Sequence, residues 1–429
     1  MDRLDNPVRA YAWGSTTAIP ELLGTEPTGE PQAELWMGAH PAAPSRLVRG
    51  AGAGAYGTVA DAQQTSQHAP RTLAELIDRD PEGELGPSVV GEFGPRLPFL
   101  LKLLAAASPL SLQVHPDREQ ARRGFADEEA RGVPRDAAHR NYKDAQHKPE
   151  LLCALTPFEG LCGFRRAAES AELLAGLDVD GLQPYVDILR ASPESDALRE
   201  VLTAVLTADP TAIADTAAAA GDSAARLADD PGAGAGAHTD AYAAYASIAR
   251  HYPGDPGVIA AMLLNHVRLR PGEALWLGAG VPHAYLHGLG VEIMANSDNV
   301  LRCGLTPKHI DVPELLRIVR FESGDPAVLR PEADPSGEEV YETPIDEFRL
   351  SRRTFTPGAP ALPLPAHTPQ ILLCTDGRIT LHSNSRDCPG SSQPQRELTL
   401  ERGRSAFVPA GEEVEATGDG TLFRATVAV

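Results

Sequence analysis

The sequence predicts a mainly β chain carrying an α-helical insertion, with two related small β-barrels and a separate helical domain. Three observations point to this. Short apolar runs separated by Gly and Pro, read as strands with a few helices, fill the first 164 residues, and strand text resumes at Leu263. Alanine-rich text with helical period lies between them. A weak internal repeat links the two β-rich regions: placing Gly272 over Gly403 puts Ala279-Gly280 over Ala410-Gly411 at the same offset of 131 residues, with Trp276 near Phe407. At that offset His283 falls on Val414.

The elements follow in chain order. The run from Phe99 to Leu104 and that from Ser111 to His115 read as two strands of one sheet, with a turn at Ser108-Pro109 between them. The Gly/Ala tract at 50–57 reads as a surface loop. Ser192, Pro193 and Glu194 form a helix start, and Leu198, Val201, Leu202, Val205 and Leu206 mark one apolar face after it. A second helix holds Tyr242, Tyr245, Ala249 and Tyr252, and Pro253-Gly254-Asp255-Pro256 stops it. The tract at 232–237 reads as a connector. These boundaries give a first β domain of residues 1–164 and 254–325, a helical insertion at 165–253 and a C-terminal β domain at 326–429.

Composition narrows the partners. Apolar residues make up 42% and charged residues 23% of 429, an ordinary globular balance with no apolar run of about 20 residues. The opening residues carry acids and no apolar core of a signal peptide, so a cytoplasmic protein is expected. A net charge of −21, from 59 acids and 38 bases, argues against nucleic acid or an anionic membrane as partner. A small anionic substrate remains compatible, because screening over about 8 Å lets a few local lysines set the field of a cleft. Five cysteines, an odd number without a C-x-x-C pair, fit reduced thiols rather than a disulfide framework or a thiolate metal site.

Four segments carry candidate chemistry. In Ser111-Leu112-Gln113-Val114-His115, alternation puts Ser111, Gln113 and His115 on one strand face. In His147-Lys148-Pro149-Glu150, Pro149 favours an extended Lys148, so Lys148 and Glu150 share a side. The Gly- and Pro-rich turn from Gly278 to Pro282 delivers His283 rigidly at the start of the next strand. The polar run Asn296 to Asn299 lies between apolar strands, with Arg302 and Lys308 beyond it. Gln113, His115, Glu150 and His283 offer a nitrogen and oxygen donor set that suits zinc and permits manganese or iron.

The strings Y-A-W-G-S at Tyr11, Q-V-H-P-D at Gln113, H-K-P-E at His147, P-H-A-Y-L-H-G at Pro282, and S-D-N-V-L-R with G-L-T-P-K from Ser297 to Lys308 resemble, in order, the motifs of type I mannose-6-phosphate isomerases. The resemblance covers the chain to about Arg320. It implies cupin-type (jelly-roll) barrels with a helical insertion, and one zinc per chain on Gln113, His115, Glu150 and His283. It implies a catalytic Arg302, a phosphate site at Lys102, Ser111 and Lys308, and Lys148, Glu292 and Asp298 near the reacting sugar carbons. The expected reaction interconverts mannose 6-phosphate and fructose 6-phosphate through a cis-enediol, with Lys148 favoured over Glu292 as base and Asp298 a candidate in ring opening. A metal-dependent cupin dioxygenase and a non-catalytic sugar-binding bicupin are the alternatives. A monomer is the default state. His287 is expected at the rim rather than on the metal, and Trp13 and Trp36 in the core. Cys303 and Gln146 depart from the family's usual residues.

Overall fold

The computed structural model describes residues 1–48, 71–229, 238–383 and 396–429. The expected loop at 50–57 and connector at 232–237 lie outside them, as does Cys388. Among the described residues there are twelve α-helices as well as two large sheets, so the chain is mixed rather than mainly β. The difference arises in the punctuated early text, where capped helices such as Leu73–Arg79 and Arg118–Ala130 occupy polar stretches that carry little apolar period. No helix among the described residues is long and apolar enough to cross a membrane.

The first sheet runs in the order Val328–Leu329, Ala274–Leu277, Glu150–Ala154, His283–Ala295, Phe99–Ala106, Glu34–Met37, Val8–Arg9. The long strand His283–Ala295 serves two sets of neighbours. Its second half pairs with Phe99–Ala106 and Glu150–Ala154, while its first half pairs with Leu112–Val114 and Phe158–Phe164. A register shift between Tyr285 and His287 lies between the halves, and Gly288 follows at φ 126°, a left-handed value that a Cβ would oppose. The strands Phe99–Ala106 and Leu112–Val114 thus belong to one sheet, as expected, but meet through this strand rather than each other.

Phe99–Ala106 is buried along its whole length because both faces are covered. Phe99, Leu101, Leu103 and Ala105 enter one core, while Leu100, Leu104 and Ala106 face the other way. Period two therefore sends Lys102 to the same side as Leu100 and Leu104.

The second sheet runs Glu338–Tyr341, Arg349–Phe355, Val414–Thr426, Gln370–Ser383, Ser405–Val408, Asp2–Asp5, Arg46–Val48. The N-terminal strand Asp2–Asp5 lies in this C-terminal sheet, whereas the sequence grouped residue 1 with the first β domain. Ala274–Leu277 and Ser405–Val408 start 131 residues apart, and so do His283–Ala295 and Val414–Thr426, in agreement with the repeat read from sequence. Val414 is buried among Leu364, Leu381 and Ala416.

The helical segment leaves after Phe158–Phe164 and returns at Leu264–Leu269, two strands that pair antiparallel. Helix Glu194–Thr207 buries Leu198, Val201, Leu202 and Val205, the predicted face. Its start differs from expectation: Pro193 is the N-cap, with no side-chain cap bond. The Glu194 carboxylate instead accepts a bond from Ala167 N at 3.0 Å, at the start of helix Ala167–Gly176. Helix Thr239–His251 stops before Tyr252, whose hydroxyl donates to Pro109 O at 2.7 Å and ties the insertion to the turn after the lysine strand.

One apolar core joins the sheets: Leu101, Leu103, Val291 and Ile293 from the first meet Leu350, Ile371, Phe407 and Phe423 from the second. Phe423→Ala should lower stability by about 3–5 kcal/mol, the usual effect of truncating a fully buried ring. Denaturation followed by tryptophan fluorescence, whose reporters Trp13, Trp36 and Trp276 precede the C-terminal sheet, should shift along with the far-ultraviolet signal. A fluorescence transition left in place would show that the two sheets do not share a core.

Candidate metal centre

The turn before His283 is fixed by backbone bonds. Gly280 N donates to His115 O at 2.9 Å, and Arg320 N donates to Gly280 O at 3.0 Å. Gly280 has φ 77°, and a Cβ there would come within 2.6 Å of Arg320 Cγ, so glycine is required by both strain and space. His283 then stands opposite Gln113, and Gln113 stands opposite Arg302 on its other side. Residues opposed across antiparallel strands share a face, so Gln113, His283 and Arg302 point one way.

His115, Glu150 and His283 converge although they come from three separate segments. Glu150 Oε2 lies 3.4 Å from His115 Nε2 and 3.3 Å from His283 Nε2, and both imidazoles are fully buried. His115 Nδ1 is 2.8 Å from Asn299 O, and His283 Nδ1 is 2.9 Å from Val281 O. A carbonyl only accepts, so each Nδ1 carries the hydrogen and each Nε2 presents a lone pair. These two nitrogens and Glu150 Oε2 have no hydrogen-bond partner among the described residues. Three buried lone pairs aimed at one another repel unless a cation sits among them. The three donor atoms lie within 4.8 Å of one another, which fits a metal ion on nitrogen and oxygen ligands.

Electrostatics favour the ligating forms. Burial pushes His115 down to about 4 against the pull of the Glu150 carboxylate, so its imidazole is neutral near pH 7. Burial opposes the charge of Glu150, but the Lys148 ammonium leads the influences that outweigh it and hold the carboxyl well below its ordinary range. Lys148 Nζ is 2.9 Å from Glu150 Oε1, on the side away from the imidazoles.

A layer of polar groups sits beside this centre. Lys102 Nζ is 2.9 Å from Glu292 Oε2 and 3.7 Å from Glu34 Oε1, and it faces the Trp36 ring at 5.6 Å. Burial disfavours the ammonium, but the two carboxylates prevail and raise its pKa. Tyr285 donates to Glu292 Oε1 at 2.8 Å. Asp298 is exposed; His40 accepts from Ala42 N at Nδ1, so its Nε2 carries the hydrogen, 3.4 Å from Asp298 Oδ1. That bond from His40 is the main cause of the lowered Asp298 pKa.

The remaining sequence candidates are Ser111, Arg302 and Lys308. Ser111 precedes Leu112–Val114, and Arg302 on the paired strand is half-buried. Lys308 is exposed, and its pKa is lowered by burial and by nearby Arg302. Lys102 differs from these two bases in being already matched by carboxylates.

Five residues outside the sequence candidates belong to this neighbourhood: Glu34, His40, Tyr285, Asn299 and Glu347. Tyr285, two residues after His283, was legible from alternation, and Asn299 lay in the polar run already singled out. Asn299 is fully buried; its side chain accepts from Lys143 N and donates to the carbonyls of Asp144 and Gln146. Nothing near Glu347 in sequence signals its contact with His147. His287 is exposed and opposes Glu159, because the register shift turns it outward. Trp36 is buried but lies under the Lys102 ammonium and meets His40 edge-on, so it lines the site as well as the core.

The family model of the type I phosphomannose isomerase catalytic domain matches residues 1–167. The chain is 39% identical to a mannose-6-phosphate isomerase of Escherichia coli (strain K12) over 99% of both chains. It is 31% identical to a Homo sapiens protein of the same name, over 95% of this chain and 93% of that one. A crystal structure of zinc-bound mannose 6-phosphate isomerase superposes with TM-score 0.83 at 36% identity, covering 100% of this chain and 99% of the other. Matching strings in order, likeness along the whole length and a shared fold lead to one conclusion: the chain belongs to the type I phosphomannose isomerase family.

Proposed function

We propose that the chain is a zinc-dependent aldose–ketose isomerase interconverting mannose 6-phosphate and fructose 6-phosphate, and so supplying mannose metabolism. The observation that carries this is the convergence of unpartnered, buried His115 Nε2, His283 Nε2 and Glu150 Oε2. These three would hold zinc, with Gln113 as fourth donor from the strand opposite His283. When bound, zinc supplies redox-silent Lewis acidity toward the sugar oxygens, stabilising negative charge as it develops.

The reaction moves one proton from carbon two to carbon one and one from the carbon-two hydroxyl to the carbon-one oxygen, through a cis-enediol. Lys148 is the proton carrier we favour, because its Nζ lies beside Glu150 Oε1 and so next to the proposed metal ligands. Glu292 is a poorer candidate, since Tyr285 and Lys102 engage both its oxygens. Arg302, level with Gln113, is placed to balance the charge of the enediolate and keeps its proton throughout. Ser111 and Lys308 receive the phosphate. Lys102 was grouped with them from sequence, but its ion pairs favour a role in fixing Glu292 and the sugar end. Asp298, bonded by His40, assists ring opening.

The two sheets are read as cupin-type barrels, a reading supported by the repeated strands and by the separate inner core of the second. The first, catalytic barrel comprises residues 1–164 and 254–325 apart from strands Asp2–Asp5 and Arg46–Val48, the helical domain 165–253, and the second barrel 326–429. A monomer remains the default state. Buried free thiols at Cys153, Cys162, Cys303 and Cys374 suit a reducing cytoplasm.

The protein should carry about one zinc per chain at pH 7 and keep it at pH 6, because His115 titrates only near 4 in the absence of metal. The neutral ligand is present above that value and lost below it, so zinc should leave as pH falls toward 4. His283→Ala should hold little zinc at any pH. Elemental analysis after dialysis checks both; a full zinc complement in His283→Ala removes it as a ligand.

Arg302→Ala should lower kcat on mannose 6-phosphate by about 10²–10³, the usual loss of one donor to a developing oxyanion. KM should change much less, and zinc content not at all. Wild-type turnover in that variant would remove Arg302 from the mechanism.

A further inference from the structure

Glu347 lies in the C-terminal region, just before strand Arg349–Phe355, yet its carboxylate reaches the first sheet. Glu347 Oε1 is 2.5 Å from His147 Nε2 and 2.5 Å from Arg118 Nη2. Each partner stands three residues from a proposed zinc ligand: Arg118 follows His115, and His147 precedes Glu150. One oxygen thus bridges the two segments that deliver His115 and Glu150. The neighbouring Phe348 is fully buried in the core shared by the two sheets and packs against Trp276, so the carboxylate is held on a rigid support. Glu347 itself is 5% exposed. Burial works against its charge, but the His147 bond and Arg118 outweigh that and hold the carboxyl at about 2.

We infer that Glu347 is a positioning residue for the metal centre: through Arg118 and His147 it fixes the spacing of the segments bearing His115, Lys148 and Glu150. The C-terminal sheet thereby acts on catalysis as well as covering the first. The inference rests on the zinc reading above.

The test uses full-length Glu347→Ala, Glu347→Gln and Arg118→Ala beside the wild type, with zinc affinity measured by competition with a chromophoric chelator, and kcat, KM and thermal midpoint measured in parallel. Glu347→Ala should weaken zinc binding about 10- to 100-fold and lower kcat by at least about tenfold, as loss of a partner that orients ligands does, with KM within about twofold. Glu347→Gln keeps an acceptor at the same place and should restore both to within about threefold. Arg118 is partly exposed, so Arg118→Ala keeps the fold and should show a smaller loss, about threefold to tenfold. A merely structural link would lower the thermal midpoint and leave zinc affinity and kcat at wild-type values, and that result overturns the inference. Should Glu347→Ala fail to fold, wild-type zinc affinity and kcat in Arg118→Ala overturn it equally. A wild-type protein that takes up no zinc defeats the zinc reading instead.

Discussion

Two imidazole nitrogens and a carboxylate oxygen, buried and without hydrogen bonds, face one another across less than 5 Å. Leaving such groups unpartnered in a buried site is strongly unfavourable, and a cation among them removes the penalty. Much of the surrounding structure serves to hold those lone pairs in place. The carbonyls of Asn299 and Val281 fix the tautomers, and Lys148 occupies the other carboxylate oxygen.

The fold meets this demand with one bent strand. His283–Ala295 supplies an imidazole at its start, and after the register shift it brings Glu292 within reach of Tyr285 and Lys102. A straight strand would send Glu292, nine residues on from His283, to the opposite face. The helical insertion does not disturb this, because it leaves and returns on paired neighbouring strands. Whatever its length, the ends of such an insertion stay together at small entropic penalty.

Alternation made part of this legible in the sequence. Gln113 and His115, and Lys148 and Glu150, follow from period two, and ordered motifs tied them to one family, whose resemblance alone brought in Lys102. Alternation failed where the chain broke its own period: continued from His283, it places His287 with the site, but the shift after Tyr285 sends it to solvent. The helix start at Ser192 was a sound local signal displaced by one residue, because Glu194 is used to cap a neighbouring helix. Glu347 was not legible at all, since its partner His147 is 200 residues away and only tertiary packing joins them. A few helices were expected in the early text, but their places were not legible, because caps and prolines, rather than an apolar period, define them.

The account stands or falls on where the cation binds. Diffraction data collected on both sides of the zinc absorption edge, from crystals of enzyme shown to turn over mannose 6-phosphate, locate it directly. The account predicts one strong anomalous peak about 2.0–2.2 Å from His115 Nε2, His283 Nε2 and a Glu150 oxygen, with Gln113 as the fourth protein donor. Active enzyme with no such peak, or with its zinc elsewhere, would contradict it.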